Sequence, residues 1–149
     1  MSITLTISQT NVLNEVAQTT GYSGAKMIGD DAAFERINTV DKDENELKRF
    51  WDESRAEVAK AFARLLSSES MNGTNYNLIL NVSAAFDNSL TASMQLGLFS
   101  YFVQSITAKW YVYTNKNEAA MFAQRADALL DEVREKAYFK KKPTRPRYQ

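Results

Sequence analysis

The sequence predicts a mainly α protein, a helical bundle around a long central helix with a minor two-stranded β element. Three observations lead there. Residues 88–108 run for 21 positions without a charged side chain. Leu47, Phe50, Trp51, Val58, Ala61, Phe62, Leu65 and Leu66 recur at three- and four-residue spacing, opposite Lys48, Glu53, Arg55, Glu57, Lys60 and Arg64; that is a one-sided amphipathic helix. Ile3, Leu5 and Ile7 alternate with Ser2, Thr4, Thr6 and Ser8, the period of a half-buried strand.

After that first strand, Asn11 to Thr20 reads as a short helix with Val12, Leu13, Val16 and Ala17 on one side, stopped by Gly21. Gly21, Gly24 and Gly29 then predict a loop, and Asp30 or Asp31 can cap a short helix through Ile37. Asp41-Lys42-Asp43-Glu44 has the spacing of a capping box with a carboxylate in place of the hydroxyl, and its acids suit the positive end of a helix dipole. The helix it opens should run to about Ser68, followed by a polar turn over Ser67–Thr74. Tyr76, Leu78, Leu80 and Val82 alternate with Asn75, Asn77, Ile79 and Asn81, which predicts a second strand able to pair with the first.

Asp87 or Ser89 should cap the long helix, which runs to about Tyr113. A helix of that length is roughly 37 Å long. Leu90, Met94, Leu98, Tyr101, Phe102, Ile106, Trp110 and Tyr113 form one apolar face, with Leu96, Phe99, Val103 and Val112 on others. A helix apolar on several sides is central, or shared with another subunit. Asn115 to Glu118 should cap the last helix, in which Met121, Phe122, Ala126, Leu129, Leu130, Val133 and Ala137 face inward. The turn between these helices is so short that they should be antiparallel neighbours.

Composition narrows the function. A chain of 149 residues suggests one domain, residues 1–139, and can bury roughly 68–70% of its unfolded surface. There is no cysteine and no histidine, so thiolate sites, disulfides and the commonest general base and metal ligand are all excluded. The uncharged run is long enough to cross a bilayer, but nine of its 21 residues are Asn, Ser, Thr or Gln, so it reads as a helix buried in protein. The first residues have neither a basic n-region nor a continuous apolar stretch, so no signal peptide is expected.

The motifs with chemical associations fail on inspection. Ser23-Gly24-Ala25-Lys26 spells S-x-x-K, but the companion motifs of penicillin-recognising enzymes are absent. Gly24 and Gly29 have phosphate-loop spacing, yet Asp30 and Asp31 follow where Lys and Ser or Thr are needed. Asp41, Asp43 and Asn45 open like a calcium loop, but Glu46 stands where the turn needs Gly, and Asp52 where a bidentate Glu is needed. The aromatics Tyr101, Phe102, Trp110, Tyr111 and Tyr113, with only Lys109 among them, suit core or interface better than base stacking. No catalytic residue, cofactor or metal is expected.

The charge distribution is the strongest functional cue. Residues 1–139 hold 13 Lys and Arg against 18 Asp and Glu, a net of −5. Lys140, Lys141, Lys142, Arg145 and Arg147 restore neutrality in a tail, residues 140–149, that has no acid and two prolines. Prolines forbid a helix there, so the tail should be extended. It is either a solvated end or an arm that lies on an acidic surface or on nucleic-acid phosphates. Lys140, Lys141, Lys142, Arg145, Arg147 and Tyr148 are the candidate partner-binding residues.

Three features together resemble the small helical head–tail connector (neck or adaptor) proteins of tailed bacteriophages. They are an acidic-start helix over 44–66, a hydrophobic helix ending in aromatics over 99–113 with Trp110-Tyr111, and a closing helix before a Lys/Arg-Pro tail. The resemblance covers roughly residues 44–146 and leaves out the first strand and the Gly21–Gly29 segment. It implies a non-enzymatic virion subunit, in a ring of about a dozen copies that joins portal and capsid to tail, assembled in the host bacterial cytoplasm. Its partners would be other copies of itself, the portal and other neck or tail proteins, with no membrane. The alternative is a small helical nucleic-acid-binding or regulatory protein that uses its basic tail.

Overall fold

The computed structural model describes residues 1–26, 33 and 43–142. Strand β1 (Ser2–Ser8) leads directly into helix α1 (Gln9–Lys26). Helix α2 (Glu44–Ala61) follows, then strands β2 (Leu66–Asn72) and β3 (Asn75–Asn81). A 3-10 turn (Asn88–Leu90) opens helix α3 (Thr91–Thr114), and helix α4 (Lys116–Ala137) is the last described helix. The protein is mainly helical, with one small antiparallel sheet in the order β1-β3-β2.

The sheet has three strands, which corrects the two-stranded expectation. β1 pairs with β3 as the alternation implied, Leu5 opposite Leu78 and Ile7 opposite Tyr76. The added strand lies where a polar turn was expected, and α2 correspondingly ends at Ala61 instead of near Ser68. The cause is tertiary. Phe62 is buried, and the Leu65 carbonyl accepts the Asn81 N–H at 2.7 Å, so the chain is captured by β3 before another helical turn forms. The hairpin closes on Gly73, whose φ of +63° at the first position of the two-residue Gly73–Thr74 loop is what a type II′ turn requires.

Helix α1 also exceeds its expected span. Gly21 and Gly24 lie within it, because a glycine ends a helix by adopting the left-handed conformation, and among the described glycines only Gly73 does so. The expected short helix through Ile37 lies outside the described residues apart from Ala33, which is helical and buried against Ala108, Tyr111, Ala119 and Phe122. Of the expected capping box, Asp43 is the N-cap of α2 and Asp41 lies outside the described residues.

Ile3, Leu5 and Ile7 of β1 and Tyr76, Leu78 and Leu80 of β3 form the buried face of the sheet. At the centre, Trp51 of α2 stacks on Phe102 of α3 with ring centroids 4.4 Å apart, and Tyr76 meets both rings edge-on at 6.2 and 5.7 Å. Each such side chain contributes about 1.5–3 kcal/mol by leaving water. The outer face of the sheet is polar and cross-bonded: Ser2 donates to Asn81 at 3.2 Å and Thr6 to Asn77 at 2.9 Å.

Helix α3 packs on α1, α2, α4 and β1, which explains its apolar sides. Tyr101, Phe102, Ile106 and Tyr111 are enclosed within the single chain. Leu96 (70% exposed), Val112 (52%) and Tyr113 (67%) remain at the surface, and Trp110 is half-buried. The α3–α4 hairpin turns on Asn115 alone, which caps both helices; its side-chain amide donates to Glu118 at 3.1 Å. Tyr111 against Phe122 and Ser93 against Lys136 fix the two helices antiparallel. Close approach is possible at Gly97, where a Cβ would sit 2.8 Å from Val133 Cγ2.

Candidate functional site

The tail begins as a lip fastened to the body. After α4, Phe139 accepts the Asp87 N–H at 3.3 Å, Lys140 forms a β-bridge with Phe86, and the Lys141 N–H donates to the Ala85 carbonyl at 2.8 Å. Phe86 is buried and pins that segment to the core. Asp87 in turn caps the 3-10 turn through Ser89 N at 3.1 Å and Ser89 Oγ at 2.7 Å. Those bonds hold its carboxyl below the usual carboxylate range, and the charge of Lys141 acts in the same direction.

The fastening is through the backbone, so the side chains stay outside. Tyr138 and Phe139 are each about half exposed, and Lys140, Lys141 and Lys142 are exposed. Three of the six sequence-predicted partner residues are therefore exposed on this lip, next in sequence to two exposed aromatics. Arg145, Arg147 and Tyr148 lie outside the described residues. The sequence reading missed Tyr138 and Phe139 as part of this surface, although their position between the last helical turn and the lysines was the available signal.

A second surface was not anticipated. Between α3 and α4 runs a groove of about 550 Å³, floored by Ala108, Val112, Ala119, Ala120, Ala123 and Ala126. Charged groups stand only at its rim: Glu57 and Lys109, which pair at 3.2 Å, and Lys116 and Asp127. The groove exists because α4 carries alanine where a longer side chain would fill the space. Met121, expected to face inward, is 40% exposed, because the inward face of α4 is set by Ala119, Phe122, Ala126 and Val133.

At the head of the groove a polar cluster joins α2 to α3. Ser54 Oγ lies 2.8 Å from Ser105 Oγ, and Lys109 Nζ donates to Ser105 Oγ at 2.8 Å. Glu57 accepts from Lys109 at 3.2 Å and from the Tyr101 phenol at 2.5 Å. Burial first, and then the Glu57 contact, push the Tyr101 phenol well up, so it stays a neutral donor. A serine beside a lysine invites a nucleophile reading. Ser105 sits in mid-helix, however, where backbone N–H groups are engaged along the helix and cannot form an oxyanion hole. Lys109 already donates to both a carboxylate and a hydroxyl. The cluster is a clamp between helices.

The Ser23–Lys26 motif falls on the last turns of α1; the two side chains that gave it interest lie outside what is described. Among the described residues no group of three or more Asp or Glu converges as a metal site, and no helix is long and apolar enough to cross a membrane. Comparison with known proteins finds no match: no family model, no curated protein and no solved structure aligns with this chain.

Proposed function

We propose that the chain is a non-enzymatic assembly subunit, and specifically a subunit of a phage neck ring that joins portal and capsid to tail. The observation that carries this reading is the Tyr138–Lys142 lip. It displays two aromatics and three lysines on a backbone already hydrogen-bonded to Ala85–Asp87, so docking orders little further chain. The rest of the molecule has the opposite sign, a net of −5 over residues 1–139. A basic lip on one copy and an acidic body on the next make a head-to-tail contact, and such contacts close into a ring when the rotation between copies allows it. The specific place in a neck rests on the sequence resemblance; on this reading the protein joins the virion from the host cytoplasm.

Charge reversal of Lys140, Lys141 and Lys142 to Glu tests it, because the backbone bonds of the lip survive the substitution. Co-sedimentation with purified portal rings, and light scattering of the mixture, should show ring-sized assembly by the native chain and its loss in the triple variant, with an unchanged melting curve. A native chain that ignores portal rings overturns the reading. The nucleic-acid alternative draws on the same exposed lysines. It is the one to adopt if the native chain binds duplex DNA with a steep salt dependence that the triple variant loses.

A further inference from the structure

We infer that the alanine-floored groove between α3 and α4 seats the same face of a second copy, forming a two-fold antiparallel helix pair. The inference goes beyond the ring reading and uses a different surface. Lys116, Ala120, Ala123 and Asp127 all line the groove. Their spacings of four, three and four residues place them in one stripe along α4. Ala120 and Ala123 are exposed, and Val112 beside them is 52% exposed, so this apolar floor faces solvent in the single chain.

The charges at the two ends of the stripe identify the occupant. Neither Lys116 nor Asp127 has an ion-pair partner among the described residues, unlike Glu57 and Lys109 on the same rim. Lys116 and Asp127 are eleven helical steps apart, about 16 Å along the axis, so they cannot meet within one chain. A second α4 laid antiparallel across the stripe brings them together twice. With the two-fold axis midway between Met121 and Phe122, Lys116 of each copy faces Asp127 of the other. The same axis sets Ala120 against Ala123. One register therefore satisfies both charges and both small residues, which is the self-complementarity that an isologous contact requires. Alanines on both sides allow the helices to approach at the short end of the usual 8–10 Å interaxial range.

The overlapping stripe is about 18 Å long, so the contact is small and the dimer weak, dissociating in about the micromolar range. An isologous contact closes at two copies. It therefore describes the chain before it joins any larger assembly, and it covers apolar surface that would otherwise face water.

Sedimentation equilibrium of the full chain between about 1 and 300 μM tests this in the concentration window of a weak dimer. The native chain should show a monomer–dimer equilibrium. Lys116→Glu and Asp127→Lys should each weaken it by about tenfold or more, because two attractive pairs become repulsive. The double variant K116E/D127K should restore it, since the swapped charges meet again in the same register. Ala123→Glu should abolish it, with helix content and melting temperature near native showing that the fold is intact. A native chain that remains monomeric throughout overturns the inference. So does a dimer indifferent to Ala123→Glu, or a charge swap that fails to restore association. The lip substitutions at Lys140–Lys142 should leave this dimer unchanged, so its failure and that of the ring reading are separable.

Discussion

The Tyr101 phenol donates to Glu57 Oε2 at 2.5 Å across the α2–α3 contact, while its ring is buried against Phe102. The hydroxyl therefore joins a core residue to a half-exposed carboxylate that also pairs with Lys109. Tyr101→Phe keeps the packing and removes the bond. A hydrogen bond to a charged group contributes about 1.5–3 kcal/mol, and the exposure of Glu57 places the expected loss at about 1–2 kcal/mol, read from urea unfolding at pH 7.

The same tyrosine predicts a pH dependence. Burial first, then the Glu57 hydrogen bond and charge, raise the folded-state pKa of Tyr101; burial and the charge of Glu69 raise that of Tyr76. An unfolded tyrosine ionises near about 10. Above that pH the folded chain holds protons that the unfolded chain releases, so stability is complete below about pH 10 and falls as the pH rises further. The slope should reach up to about 1.4 kcal/mol per pH unit for each tyrosine. Urea midpoints measured from pH 8 upward should stay flat and then decline, and Tyr101→Phe should remove part of the decline. A decline of equal slope in that variant would remove Tyr101 from the account.

Gly97 and Val133 set how closely α3 and α4 pack. Alanine is the better helix former by about 1 kcal/mol, yet a Cβ at Gly97 would lie 2.8 Å from Val133 Cγ2. Val133 is buried and β-branched, with one strongly preferred rotamer in a helix, so it cannot swing aside. Overpacking costs about 1–3 kcal/mol, and Gly97→Ala should destabilise on balance by about 0.5–2 kcal/mol. In a double-mutant cycle, Val133→Ala should relieve the clash, with a coupling of at least about 0.5 kcal/mol. Additive effects would mean that the helices shift apart at little cost.

Much of the fold was legible because most elements repeat at their own period. Ile3, Leu5 and Ile7 alternate, and Tyr76, Leu78 and Leu80 alternate, and these strands pair. β2 was hidden by a bulge. Leu66 lies opposite Leu80, Glu69 opposite Leu78 and Met71 opposite Tyr76, so three residues on one face fall at spacings of three and two. The register shift between Leu66 and Ser68 absorbs the extra residue, and the resulting spacing imitates a helix. Periodicity also does not reveal that a helix face rich in alanine leaves a groove beside its neighbour. Ala119 and Ala126 are buried and Ala120 and Ala123 exposed, yet all four line it. The basic lip was legible as charge, but its anchorage depends on Phe86 and Ala85, more than 50 residues away in sequence.

Ser54 and Ser105 predict an asymmetry. Their hydroxyls lie 2.8 Å apart, both residues are buried, and Lys109 donates to Ser105 as well. Ser105→Ala strands the Ser54 hydroxyl and one Lys109 donor, and should cost about 1–3 kcal/mol. Adding Ser54→Ala removes the stranded hydroxyl, so the double variant should be no less stable than Ser105→Ala alone. A double variant that loses the sum of both single effects would show that the hydroxyls find other partners.

The hairpin that the sequence concealed can be tested at its turn. Gly73 has a φ of +63°, and a Cβ there would meet nothing within 4 Å, so a substitution registers backbone preference without a steric contribution. Gly73→Ala should cost about 1–2 kcal/mol, a fall of about 3–6 °C in melting temperature for a chain of this length. Gly73→Asn should cost about as much, because the first position of a type II′ turn mirrors an extended φ/ψ pair and lies outside the left-handed region that asparagine tolerates. Hydrogen exchange should place the loss: amides of β2 should open first, since β2 is an outer strand whose ladder hydrogen bonds run to β3 alone, whereas β1 on the other edge has its Thr6 N–H covered by the Gln95 side chain at 3.0 Å. Near-neutral effects of Ala and Asn, or exchange that quickens in β1 before β2, would mean that the turn does not set the stability of this edge.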